Sequence, residues 1–165
     1  MTAQRLTASP VRYGIPEVRI FGNGWNLNGL DQIFAAGHGL ALCSNFPGGG
    51  FMFDNADYIK QLVEIRVTYG DALIHGAQIN QPHTSDPLVA AYHYQGSRHR
   101  ILTVVNTADT HSTVDISLDT PDPGGNWKNL LGNETYQTRD GVLSNVVLTS
   151  GQGSLLVLLN VPGGL

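Results

Sequence analysis

Three aspartates, Asp31, Asp54 and Asp57, stand where loops lead into predicted helices, and they are the side chains best placed for general acid and base chemistry. Asp54 and Asp57 flank a helix start, where capping and compensation of the helix dipole also explain them. Asp31 and Glu17 read as surface charges. Asp109, Asp119, Asp122, Glu134 and Asp140 fall in predicted turns, for which local Asx hydrogen bonding suffices. The 13 acidic residues thus offer no convincing catalytic pair. Among the six histidines no HExxH or Cys/His cluster occurs. A two-residue turn at Gly96 and Ser97 puts His93 opposite Arg100 and His99 opposite Tyr94, so the two histidines lie on opposite faces of a hairpin and cannot share a metal. The sequence calls for no metal and no cofactor, and neither GHG around His38 nor GQGSL around Ser154 matches a nucleophile elbow.

The elements that position these residues change character along the chain. Residues 1–10 carry no period. Val18 to Phe21 predicts a short strand, and Leu30, Ile33 and Phe34 fall on one face of a helix that Asn28 can cap and Gly37 can end. Leu40 to Cys43 reads as a strand covered on both sides. A longer helix is predicted from Asn55 to Tyr69, with Asp54 accepting from its first-turn amides, Tyr58, Ile59, Leu62, Val63, Ile65 and Tyr69 on its apolar face, and Gly70 as terminator. This is a βαβα order.

Beyond Ala77 the apolar period changes to two. Leu88 to Asn106 predicts a hairpin, Ser112 to Leu118 a strand with one wet face, and Val142 to Leu148 and Ser154 to Leu159 late core strands. Trp127, Leu130 and Leu131 are expected to plug one end of the resulting sandwich. The fold expected is mainly β with an α/β N-terminal part: an antiparallel Greek-key β-sandwich over residues 77–165, preceded by two βα units over residues 1–76.

Composition narrows the partners. A formal charge of -4 with 13% charged residues leaves no basic face for nucleic acid. No apolar run approaches the roughly 20 residues that span a bilayer, so a membrane partner is not expected and a soluble chain is. The single Cys43 cannot form an internal disulfide, and redox compartment and localisation stay open.

The segment WKNLLGNETYQTRDGVLSNVVLTSGQGSLLVLL resembles the closing β-sandwich of (β/α)₈-barrel glycoside hydrolases of the α-amylase or α-galactosidase type. Their usual pattern has W-x-D-L-L-x-G-E, a D-G-x-L hairpin and a final apolar strand. Trp127, Leu130, Leu131, Gly132, Glu134, Asp140, Gly141, Leu143 and Leu155 to Leu159 fit it, with Asn129 at the usual Asp and Asn133 inserted before the Glu. YIKQLVEIRVTYGDALIHGAQ is similar to the last barrel helix and its exit. The resemblance implies that Leu40 to Cys43 is the last barrel strand and Val18 to Phe21 the one before it. Loops at the C-terminal ends of those strands would then face substrate, making Trp25, Asn26, Asn45, Phe51 and Asp54 the candidates for binding sugar.

Glycoside hydrolysis normally uses two carboxyls roughly 5 to 10 Å apart, and in these enzymes they come from barrel strands this sequence does not contain. The expected function is therefore a carbohydrate-associated module with a structural or sugar-binding role and no catalysis alone. The alternatives are a small self-contained glycoside hydrolase using Asp31, Asp54 or Asp57, and a self-assembling protein that forms a homo-oligomer through an exposed α/β region.

Overall fold

A computed structural model describes residues 27–38, 54–108, 110–118, 125–150 and 154–161. Within them lie helices α1 (Leu27–Ala35), α2 (Ala56–Thr68) and α3 (Gly70–Leu73) and strands β1 (Ala77–Gln78), β2 (His83–Thr84), β3 (Val89–Gln95), β4 (Arg100–Asn106), β5 (Ser112–Ser117), β6 (Asn126–Asn129), β7 (Thr135–Arg139), β8 (Val142–Leu148) and β9 (Leu155–Val161). The strands pair antiparallel throughout, in the order β1-β3-β4-β9-β6-β7-β8-β5-β2, and the sheet curls on itself. Strands β6, β7 and β8 form a meander and β9 returns beside β6, which is the Greek-key arrangement. The strands expected at 18–21 and 40–43 lie outside the described residues.

Burial explains the apolar density of β3, β4 and β9. Val89, Ala91, Leu102, Val104, Leu156 and Leu158 face the interior between the two halves of the curled sheet. Their alternates Ala90, Tyr92, Tyr94, Ile101, Val105, Leu155 and Val157 pack under the helices with Leu30, Phe34, Ile59 and Leu62. These strands are covered on both faces, whereas β5 buries Val114 and Ile116 and exposes Thr113 and Asp115. Trp127 sits in the sandwich interior, but Leu130 and Leu131 pack against the helix-side core, so the expected three-residue plug is divided between two layers.

Polar anchors hold the helices to the sheet. Helix α1 ends at Gly37, whose φ is 74°, with His38 N donating to Ile33 O and Gly37 N to Phe34 O. The Ala35 carbonyl left over at that end accepts from the Tyr94 hydroxyl at 2.7 Å and from the Thr103 hydroxyl at 2.8 Å, which accounts for two polar groups buried in the sheet. Asn28 lies inside α1 rather than at its cap and donates to the Asn106 carbonyl at 3.1 Å. In α2 the cap position belongs to Asn55, whose side chain makes no capping bond, and Asp54 is exposed. Val63 is 43% exposed, so the apolar face of α2 is narrower than its sequence implies. Gly70 does not close a last turn but opens α3, because Tyr69 takes the cap position between the two helices.

The β3–β4 hairpin turns at Ser97 and Arg98, not at Gly96 and Ser97. Gln95 pairs with Arg100, His93 with Leu102, and Gly96 N donates to His99 O. The register differs by two residues from the expected one, so every side chain keeps its face. A tertiary contact explains the choice. The Asp71 carboxylate accepts from the backbone N–H of Arg98 at 2.7 Å and of His99 at 3.1 Å, and its second oxygen lies 2.6 Å from His99 Nδ1. Gly96 is needed for closeness rather than for a turn angle: a Cβ there would meet Asp71 Oδ2 at 2.5 Å and Ala72 N at 2.6 Å. Gly96→Ala is expected to cost about 1–3 kcal/mol by prising the hairpin tip from α3. A urea midpoint equal to the parent's would show that the tip moves away freely.

Candidate functional site

The sequence-predicted acids have different surroundings. Asp31 is not a surface charge: it is fully buried, accepting from the Tyr58 hydroxyl at 2.6 Å and from the Ser154 hydroxyl at 2.5 Å. Burial pushes its carboxyl up to about 7, against the smaller opposing effect of those two hydrogen bonds. The same burial, with the Asp31 charge beside it, pushes the Tyr58 hydroxyl well above its ordinary range. Asp31 thus ties α1 to α2 and to the entry of β9. Asp54 and Asp57 are exposed at the start of α2. Trp25, Asn26, Asn45 and Phe51 lie outside the described residues.

The histidines stand apart. His93 is buried in the sandwich interior, edge-on to Trp127 with ring centroids 5.6 Å apart. Its Nε2 is buried without a hydrogen bond, and burial, helped by the Arg100 charge, lowers it to about 4. His99 lies on the other side with Asp71 and packs edge-on to Tyr69 at 5.0 Å. Asp71 is held well below the usual carboxylate range, chiefly by the His99 hydrogen bond and also by the Arg98 and His99 amides.

A groove missed by the sequence reading opens beside the β6–β7 turn, lined by Asn129, Leu131, Glu134, Tyr136, Val147 and Thr149 among others. Asn129 is buried and organises the turn. Its Oδ1 accepts from Leu131 N at 3.1 Å and, more weakly, from Val157 N at 3.4 Å, and its Nδ2 donates to Glu134 Oε2 at 2.8 Å. That hydrogen bond, followed by backbone amides of the turn, lowers the Glu134 carboxyl, so the exposed group is a pinned anion at neutral pH. Gly132 allows this closure, since a Cβ there would collide with Glu134 Oε2 and crowd Asn129 Nδ2. Tyr136 is half-buried, leaning on the sandwich core, and burial together with the Glu134 charge raises its hydroxyl. Half-exposed Val147 completes the apolar part. The signal lies in LLGNETY, whose residues by themselves read as turn and architecture.

Solved structures carry this fold inside much larger enzymes. The chain is similar to an α-amylase from Anoxybacillus (TM-score 0.52, 16% identity), to the maltogenic α-amylase AmyB from Thermotoga neapolitana (0.53, 16%) and to AmyP crystallised with maltose (0.51, 20%). These likenesses cover 68%, 69% and 73% of this chain but 24%, 27% and 23% of the respective enzymes, so the chain spans about a quarter of their length. No protein-family model matches the sequence, and no curated protein does. The β-rich fold is that of a region of α-amylase-type glycoside hydrolases.

Proposed function

We propose that the chain is a carbohydrate-associated module of the glycoside hydrolase type, which contacts neutral glucan and does not hydrolyse it alone. The observation that carries this reading is the fold likeness, which extends over roughly 70% of the chain and reaches α-amylases and a maltose complex. The disposition of the acids supports it. Asp31 is sealed in the core, while Asp54 just before the cap of α2 and Asp57 in its first turn are both exposed, which suits solvation better than clasping a glycosidic bond from two sides. On this reading residues 1–76 are a remnant of the last barrel units and residues 77–165 the closing sandwich. Trp25, Asn26, Asn45, Phe51 and Asp54 then form a rim of sugar contacts.

The test pairs binding with turnover. Electrophoresis through a gel containing soluble starch is expected to retard the chain, and incubation with maltoheptaose to release no reducing ends above the buffer blank. Hydrolysis abolished by Asp54→Asn or Asp57→Asn would overturn the non-catalytic reading.

A further inference from the structure

We infer that the groove beside the β6–β7 turn is a glucan-binding site in its own right, with a sugar ring seated on Tyr136 and its hydroxyls donating to Glu134. This rests on the sugar-binding reading above and gives it a location within the sandwich. Three features of the groove select the ligand class. None of the residues lining it is basic, and it carries one ionised carboxylate, so phosphorylated or acidic ligands are repelled. Tyr136 and Val147 supply an aromatic and an aliphatic surface beside that carboxylate, the combination that accepts the apolar face of a pyranose while its hydroxyls are hydrogen-bonded.

The third feature is preorganisation. Glu134 is fixed by buried Asn129, which is itself held by backbone amides on two different segments, so the acceptor geometry exists before a ligand arrives. A carboxylate has about four lone-pair directions. Asn129 and the turn amides occupy part of them, and the exposed remainder is left for ligand hydroxyls. Asn129 is accordingly a positioning residue rather than a contact. Thr149 adds a further hydroxyl to the lining.

The experiment is calorimetric titration of the full chain with maltoheptaose, and with an oligogalacturonate of similar length as the anionic counterpart. The parent is expected to bind maltoheptaose and not the oligogalacturonate. Glu134→Gln is expected to weaken maltoheptaose binding several-fold and Tyr136→Leu at least tenfold, whereas Tyr136→Phe, which keeps the ring, holds near the parent's affinity. Because Tyr136 leans on the core, each variant is first matched to the parent by its thermal transition, and Gly132→Ala, which displaces Glu134 from Asn129, gives a second route to the same loss. If the parent binds maltoheptaose and all these variants bind it equally well, the groove assignment is overturned and the sugar-binding reading stands, with Trp25→Ala the next variant. If the parent binds neither oligosaccharide, the sugar-binding reading itself fails.

Discussion

Trp127→Ala is expected to destabilise the protein by about 3–5 kcal/mol, the range for removing a fully enclosed large aromatic side chain. Trp127 has no exposed surface, and it stands where β6 joins the two halves of the curled sheet, between β9 and β7. Its cavity cannot be filled by one neighbour, because Leu143, Val146, Leu156 and Leu158 reach the same interior from strands whose registers are fixed by pairing. The indole also has a polar obligation: Nε1 donates to the Thr138 hydroxyl at 2.7 Å, both groups being buried. Thr138→Val should therefore cost about 1–3 kcal/mol by stranding the indole N–H. Trp127→Phe combined with Thr138→Val should cost less than the two single losses added, since the double variant leaves no unpaired group. Urea denaturation of the four proteins measures this. A loss below 1 kcal/mol for Trp127→Ala would mean that the interior collapses around the gap.

What could be read from the sequence was what neighbouring residues decide among themselves. The Asp140–Gly141 turn sits at φ 51° and 77°, the mirror-image turn that this residue pair favours, and it joins β7 to β8 where expected. Val114, Ile116 and Leu118 alternate because one face of β5 is wet. What distant partners decide does not show in the local sequence. Asp31 reads as a surface charge because its hydrogen-bond partners lie 27 and 123 residues away. The hairpin tip reads one residue early because Gly96 answers to Asp71, not to the turn. In β8 an extra residue opposite Asp115 leaves Ser144 and Asn145 both exposed, with Asn145 at φ 56° donating to Asp115 at 2.8 Å. Val142 to Leu148 reads as a plain strand, although the bulge leaves a slip in the alternation between Leu143 and Val146. The groove escaped for a related reason: Glu134 looks like a turn residue until buried Asn129 is seen to hold it.

Asp31 and His93 are expected to bend the pH dependence of stability in opposite directions. Asp31 binds its proton up to about pH 7 when folded, against an ordinary value of 3.8, so the folded state holds more protons through that interval. The stability linked to this proton is complete below the ordinary value and is lost as pH rises to about 7, a change on the order of 4 kcal/mol. His93 behaves inversely. Folded, it protonates only near pH 4, against an ordinary 6.5, so stability is complete above pH 6.5 and falls as pH drops toward 4, by about 3 kcal/mol. Asp71, Asp86 and Glu134, all lowered, add losses at the acid end only. Over the middle of the range the two buried groups nearly cancel, and the parent should show a shallow profile. Asp31→Asn uncovers the histidine: its amide accepts from one of the Tyr58 and Ser154 hydroxyls and donates to the other, so the network survives uncharged and stability climbs from pH 4 to 6.5. His93→Leu uncovers the aspartate, giving a profile that declines from pH 4 to 7, and it also removes a buried nitrogen that has no hydrogen bond. Asp31→Ala, by contrast, strands both hydroxyls and should lie about 2–5 kcal/mol below Asp31→Asn at every pH. Chemical denaturation at half-unit pH intervals separates these cases. If Asp31→Asn traces the parent's profile, the carboxyl is not protonated in the folded protein, and a bare buried anion would have to be held by two hydroxyls alone.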